Sequence, residues 1–165
     1  MRFKLVEGID NKLIDVYTYQ SDEVIDSLKN NQEYHADINS GMFQEKGSRN
    51  NPYRKLKQIL GLSNYPIFGA LSKTDLERML DSSFISRRGR KLLRLRVPRN
   101  EIKITEYYDW TDYLYALEDR KSFEEESGIT IKELEDLLRE QRDVESYEEP
   151  QVILDRIEPS WVIED

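Results

Sequence analysis

The chain has 165 residues, no cysteine, one histidine, and 33 acidic against 25 basic side chains, for a net charge of −8. Without cysteine there is no disulfide framework, no thiolate nucleophile and no cysteine-ligated metal. His35 alone excludes a two-histidine metal site within one chain and obliges any Ser-His-Asp triad to use it. Ten tyrosines, five phenylalanines and two tryptophans are too many for a disordered chain, and the length suits one domain that buries roughly two thirds of its unfolded surface.

In chain order, Met1 to Asp10 lacks the apolar core of a signal peptide. Leu13 to Tyr19 is rich in β-branched and aromatic residues and predicts a strand. Ser21 offers an N-cap, with Val24, Ile25 and Leu28 on one helical face, and this helix frays by Asn30-Asn31. Gln32 to Asn50 has no period and reads as a long loop. Asn51-Pro52 supplies the preferred N-cap and first residue of a helix, Leu56, Ile59 and Leu60 its apolar stripe, and Gly61 its end. Tyr65 to Leu71 is a short apolar strand or buried turn. Thr74-Asp75-Leu76-Glu77 has the form of a capping box, followed by Leu76, Met79 and Leu80 at helical spacing.

Ser82 to Arg90 reads as a polar, basic loop. Leu93, Leu95 and Val97 then alternate with Arg94 and Arg96, which predicts a strand with one apolar and one arginine face, stopped by Pro98. Ile102 to Thr105 is a second short strand. Asp109-Trp110-Thr111 leads into a short helix with Leu114, Ala116 and Leu117. Glu118 to Gly128 reads as an acidic loop. Thr130 to Glu133 is another capping box, opening a helix with Leu134, Leu137 and Leu138 inside and Lys132–Asp136 and Glu135–Arg139 as i,i+4 pairs. Gln151 to Ile157 and Trp161 to Ile163 return to strand character, interrupted by Pro159. Strands and helices are intermixed without regular alternation. The expectation is one α+β domain over residues 1–165, a small mixed sheet with several short helices. No apolar run approaches the ~20 residues that span a bilayer, so a cytoplasmic protein without membrane contact is expected.

Charge is unevenly distributed. Ile85 to Lys103 holds eight basic residues and one acid, and Glu118 to Glu149 holds thirteen acids and five bases. The two blocks neutralise one another across the fold, or serve partners. The basic block suits a phosphate-bearing ligand or nucleic acid through Arg87 to Arg99, although the net charge of −8 weighs against nucleic acid as a general mode. The acidic block suits a protein partner with a basic, nucleic-acid-binding surface, which it would occupy by imitating phosphates. There is no Walker A sequence, G-x-G-x-x-G, H-E-x-x-H or G-x-S-x-G. Tyr17, Tyr19 and Gln20 end the first strand, as half-buried strand residues or as the wall of a ligand cleft. His35, a turn residue or an acid–base group, and the aromatic cluster of Tyr107, Tyr108 and Trp110, core or stacking platform, complete the candidates.

Four segments carry a resemblance that spans most of the chain. They are Val16-Tyr17-Thr18-Tyr19-Gln20-Ser21; Tyr65-Pro66-Ile67-Phe68; Leu92-Leu93-Arg94-Leu95-Arg96-Val97-Pro98 with Tyr108-Asp109-Trp110; and Gln151-Val152-Ile153-Leu154 with Glu158-Pro159-Ser160-Trp161-Val162. In these the chain resembles a bacterial and phage family, the domain of unknown function 3841, a name that implies no activity. More distantly, the same order is similar to the ADP-ribosyltransferase superfamily. That resemblance implies an NAD-binding fold in which polar contacts hold the nicotinamide amide and a carboxylate stabilises the oxocarbenium-like charge. Carried over, Thr18 or Gln20 lies where the superfamily has His or Arg, Tyr65 lies near the aromatic wall, and Gln151 stands where the catalytic Glu is usual. A neutral glutamine supplies no charge unless Glu149 replaces it from two residues away. The resemblance further implies that Tyr19, Gln20 and Gln151 face one pocket, with Arg87, Arg88 and Arg90 within reach of a bound nucleotide's phosphates. Two functions therefore compete: an ADP-ribosyltransferase-like protein binding NAD or another nucleotide, and a non-enzymatic acidic inhibitor of phage or mobile-element origin.

Overall fold

β1 (Leu13–Ser21) and β3 (Arg90–Pro98) run antiparallel in unbroken register, from Leu13 opposite Pro98 to Ser21 opposite Arg90. The computed structural model describes residues 12–37, 51–81 and 89–164. Among these, β2 (Ile67–Ala70), β4 (Ile102–Glu106) and β5 (Pro150–Leu154) complete an antiparallel sheet of order β3-β1-β2-β5-β4. The described helices are α1 (Asp22–Lys29), α2 (Pro52–Leu60), α3 (Lys73–Asp81), α4 (Tyr107–Glu118), α5 (Arg120–Ser127) and α6 (Ile131–Arg139). The architecture is α+β, as the intermixed pattern predicts.

Alternation along each strand divides the sheet into two faces, and each face has its own core. Val16, Leu93, Leu95, Val97, Ile104, Val152 and Leu154 meet Val24 and Leu28 of α1 and, from the C-terminal segment, Ile157 and Trp161. Ala70 and Ile153 on the other face meet Leu56 of α2, Leu76 and Met79 of α3, Trp110 and Tyr113 of α4, Phe123 of α5, and Leu134 and Leu138 of α6. Each such side chain stabilises by about 1.5–3 kcal/mol when removed from water, whereas an exposed ion pair contributes about 0–1. The charged exterior is therefore secondary to these two cores in holding the fold.

Several helix ends follow the predicted chemistry. The Ser21 hydroxyl accepts from the Val24 N–H, Asn51 Oδ1 from the N–H groups of Tyr53 and Arg54, and Thr130 from Glu133. Gly61 closes α2 with φ 68°, a left-handed conformation open to glycine. α3 starts at Lys73, one residue ahead of Thr74, because its cap is Ser72, whose carbonyl accepts the Leu76 N–H at 3.0 Å and whose hydroxyl accepts that of Asp75 at 3.1 Å.

Other expectations are corrected. The acidic loop predicted for Glu118 to Gly128 contains α5. Asp119 caps it through the Ser122 N–H, Arg120 holds Glu124 one turn on, Phe123 is buried with its ring 6.0 Å from that of Tyr115, and Gly128 ends it at φ 73°. Glutamate is a good helix former, so acidity here marked a solvated helical face rather than a loop. α4 begins at Tyr107 and buries Tyr107, Trp110, Tyr113 and Ala116, leaving Leu114 and Leu117 half-buried. In α6, Leu137 is 45% exposed. Asp136 there pairs with Arg139, and Glu135 accepts the Tyr113 hydroxyl at 2.7 Å, in place of the two predicted i,i+4 pairs. β5 stops at Leu154. Beyond it Ile157 makes an isolated bridge to Tyr34, Trp161 lies in a 3-10 turn, and Val162 bridges Leu95. Within the predicted loop from Gln32, Tyr34 and Ala36 already form bridges, and residues 38–50 lie outside the described set, as does most of the Ser82–Arg90 loop.

Both sheet edges are occupied. Val162 and Ile163 pair with β3, while the Gln141 side-chain amide bonds both backbone groups of Ile104 on β4, accepting its N–H at 2.8 Å and donating to its carbonyl at 3.0 Å. One glutamine thereby imitates a neighbouring strand and blunts an edge open to pairing with other chains. In the sheet centre β2 and β1 approach closely at Gly69, where a Cβ would stand 2.8 Å from the Tyr17 carbonyl and 3.0 Å from Val16 Cγ1. Gly69→Ala is expected to lower the unfolding free energy by about 1–3 kcal/mol, read from the urea midpoint, and an unchanged midpoint would show that the strands separate freely there.

Candidate functional site

An open cleft of about 660 Å³ lies where β1 ends and α1 begins. β1 pairs with β2 at Tyr17 opposite Ala70. Further along, the Thr18 hydroxyl donates to the Phe68 carbonyl at 2.7 Å, and Gln20 Nε2 donates to Thr18 Oγ1 at 3.0 Å. Past that point Tyr65 pairs instead with Ala36, so the segment at 34–37 forms the opposite wall. Tyr19, Gln20, Tyr34, His35, Phe68 and Arg90 line the cleft, with the carboxylates of Asp22, Glu23 and Asp37.

His35 is held at both ring nitrogens. Nδ1 accepts from Asn64 Nδ2 at 2.9 Å, which leaves Nε2 to donate to Glu33 Oε2 at 3.1 Å. The other oxygen of Glu33 meets Arg156 at 2.7 Å. Arg156 also holds Glu101 through two bonds and Glu158 at 2.8 Å, and its guanidinium lies 5.3 Å from the centre of the Trp161 ring. These bonds, from Glu101 first and then Glu158, raise its already high pKa further. This cluster is not legible in the sequence beyond the Arg156–Glu158 spacing, because Glu33 and Glu101 arrive from distant segments.

The predicted site residues do not converge on one place. Tyr19, Gln20 and Arg90 reach the cleft. Thr18 is fully buried and does not line the cleft itself, bonded to Gln20 and Phe68 as described. Tyr65 lies under α2, where Arg54 Nε donates to its hydroxyl at 3.3 Å and Lys57 sits 5.5 Å from its ring centre. Gln151 is buried opposite Ala70 and Thr105, and its Oε1 accepts the Thr105 hydroxyl at 3.3 Å. Parity puts Gln151 on the face of Tyr17 and Tyr19, away from Thr18 and Gln20, and it does not border the cleft. Arg87 and Arg88 lie outside the described residues.

Glu149 belongs to the far end of the sheet. Phe68 is opposite Ile153, so Glu149 lies four residues along β5, roughly 13 Å at the rise of a strand. It is 5% exposed, bound to Arg78 Nη1 at 2.8 Å, and accepts the Tyr108 hydroxyl. Its neighbour Glu106 takes the backbone N–H groups of Glu148 and Glu149 on its two carboxylate oxygens. This second cluster fixes the turn into β5. Among the described residues no group of His, Asp and Glu is arranged to hold a metal ion, and no helix is long and apolar enough to cross a membrane. No protein-family model, curated protein or solved structure matches the chain.

The Glu149 cluster has a titration signature. The hydrogen bond to Glu149, reinforced by the carboxylate's charge, favours the neutral phenol and holds the Tyr108 pKa above its ordinary value. Its folded pKa is raised, so the associated stability is present below the ordinary phenol pKa and is lost as pH rises through the folded value. Glu149→Gln is expected to return Tyr108 toward ordinary phenol titration in an ultraviolet absorbance titration. A curve identical to wild type would remove Glu149 as the cause.

Proposed function

We propose that the chain binds NAD or a related nucleotide in the cleft at the end of β1. The observation that carries this reading is the convergence of Tyr19, Gln20 and Arg90, three of the residues singled out from sequence, on one open cleft. The division of labour follows from chemistry. The rings of Tyr19 and Tyr34 offer surfaces for a base. The Gln20 amide, oriented by Thr18, pairs with the amide or base edge. The Arg90 guanidinium suits paired phosphate oxygens. Asp22, Glu23 and Asp37 complement a cationic ring such as nicotinamide better than a purely anionic ligand.

This reading is of binding, with transfer chemistry left unassigned. The carboxylate that an ADP-ribosyltransferase needs beside its bound nicotinamide has no candidate in Gln151, which is neutral and outside the cleft, or in Glu149, which is engaged by Arg78. A second reading, the acidic inhibitor, draws support from the exposed carboxylates of Glu125, Glu126, Glu133 and Glu140 on and beside α5 and α6. Its complex with a basic partner would weaken steeply with salt.

Calorimetric titration with NAD tests the first reading. Binding is expected, with Arg90→Gln and Gln20→Ala each weakening it by roughly tenfold, in line with about 1.5–3 kcal/mol for a charge-assisted hydrogen bond and about 1 for a neutral one. Lys132→Ala on α6 should leave it unchanged. Absence of binding by the wild type to NAD and to adenine nucleotides would sink the nucleotide reading and leave the acidic inhibitor standing.

A further inference from the structure

Strand parity sorts the basic block of β3 onto one surface. Leu93, Leu95 and Val97 turn into the core. Arg90, Leu92, Arg94 and Arg96 stand on the opposite face, each directly paired with a residue of β1: Ser21, Tyr19, Tyr17 and Asp15 in turn. The tyrosines are half-buried where the helical layer begins, while Leu92 is 37% exposed and the Arg96 side chain 51%. Residues two apart along a strand are roughly 6.6–6.8 Å apart. The face therefore presents Arg94 and Arg96 one such step apart, a spacing comparable with one nucleotide of an extended strand, with Arg90 two steps further on beyond Leu92, beside a column of two phenol rings.

One carboxylate enters the column. Asp15 accepts from Arg94 Nη2 at 2.8 Å and from Arg96 Nε at 3.0 Å. A single aspartate shared between two guanidiniums leaves the face net positive and holds both arginines upright. Arg94 also lies 5.8 Å from the centre of the Tyr17 ring, so cation and aromatic surface are already in register.

We propose that this face binds single-stranded nucleic acid, with phosphates along Arg90, Arg94 and Arg96 and bases against Tyr19, Tyr17 and Leu92. Guanidinium forks match phosphate oxygens, and ring faces accept any unstacked base. A sheet face with half-buried tyrosines offers no helix or ribbon to enter a duplex groove, so an extended strand fits and a double helix does not. The overall charge of −8 does not oppose this, because charges separated by more than about 8 Å are largely screened at physiological salt and the acidic helix α6 packs against β4, at the opposite edge of the sheet from β3. Arg90 and Tyr19 also line the nucleotide cleft, whereas Tyr17, Arg94 and Arg96 do not, so Arg96→Gln tests this face without touching the cleft.

The test is fluorescence anisotropy with a labelled oligothymidine, which has little structure of its own. The wild type is expected to bind at low salt, with log K falling against log salt at a slope of about −2 for three phosphate contacts. Arg96→Gln should weaken binding and reduce that slope by about 0.7. Asp15→Asn, by removing the competing carboxylate, should tighten binding severalfold. Thermal melts establish that each variant folds, and if Asp15→Asn does not, Arg96→Gln decides alone. No binding by the wild type at low salt, an affinity indifferent to Arg96→Gln, or equal affinity for duplex DNA of the same length would overturn the proposal.

Discussion

The period-two alternation of side chains, transmitted from strand to strand by the ladder, is the constraint on which the rest of this molecule depends. Tyr17 is opposite Arg94 on one side and Ala70 on the other, Ala70 is opposite Gln151, and Gln151 is opposite Thr105. That row spans all five strands and lies on one face. The next, with Leu93, Thr18, Gly69, Val152 and Ile104, lies on the other. A slip of one residue in any strand would carry its core set to the wrong side, so register and the two cores enforce each other. The same rule separates functional candidates that are adjacent in sequence. Tyr19 and Gln20 leave β1 on opposite faces and share the cleft because β1 ends there.

Among the described residues the layer containing α1 holds one helix against five in the opposite layer, and charge supplies part of its cohesion. Arg156 gathers Glu33 from the segment that walls the cleft, Glu101 from the connection between β3 and β4, and Glu158 from the C-terminal segment. The Arg156 side chain is 25% exposed, and three carboxylates around its guanidinium give each of its three nitrogens a partner. Removing one member of such a network costs more than an isolated surface pair contributes, because the others remain desolvated. It also couples the cleft wall to the tail, through Glu33 to His35 on one side and through Glu158 to Trp161 on the other.

Much of the fold was legible because local chemistry and tertiary packing agree. Ser21, Asn51-Pro52, Gly61 and Thr130 act at the positions their chemistry suggests, and the Leu93–Val97 alternation survives intact. Failures came where the deciding interaction was distant or where composition masked geometry. Glu124, Glu125 and Glu126 made a helix look like a loop, and the single buried Phe123 that anchors it was the signal that had been present. Leu137 is exposed because α6 meets its neighbours through Leu134 and Leu138, a choice that apolar content alone does not make. Of the candidate site, the sequence supplied Tyr19, Gln20 and Arg90. It did not reveal that Gln151 would be enclosed between β2 and β4, since that depends on strand order rather than on any motif.

Strand order also changes what the charge blocks mean. Read linearly, the residues from Ile85 to Lys103 form one basic strip. In the fold, Lys91 turns to Asp22 at the start of α1, and Arg99 donates to the backbone carbonyls of Ile102 and Arg142. These cations serve the fold. Among the described residues of the block, Arg90, Arg94 and Arg96 share one surface, with Asp15 as the fixed counter-ion of Arg94 and Arg96. An ion pair in this position does not cancel the field so much as set its geometry: Asp15 is bonded to both guanidiniums, which holds its own pKa below the ordinary carboxylate value, and it keeps two flexible side chains from collapsing onto the strand. A phosphate approaching the column meets arginines whose rotamer entropy is already partly lost, which lowers the cost of binding at the expense of some Coulomb attraction. That balance between preorganisation and competition, more than the net charge of the chain, governs what this face can hold.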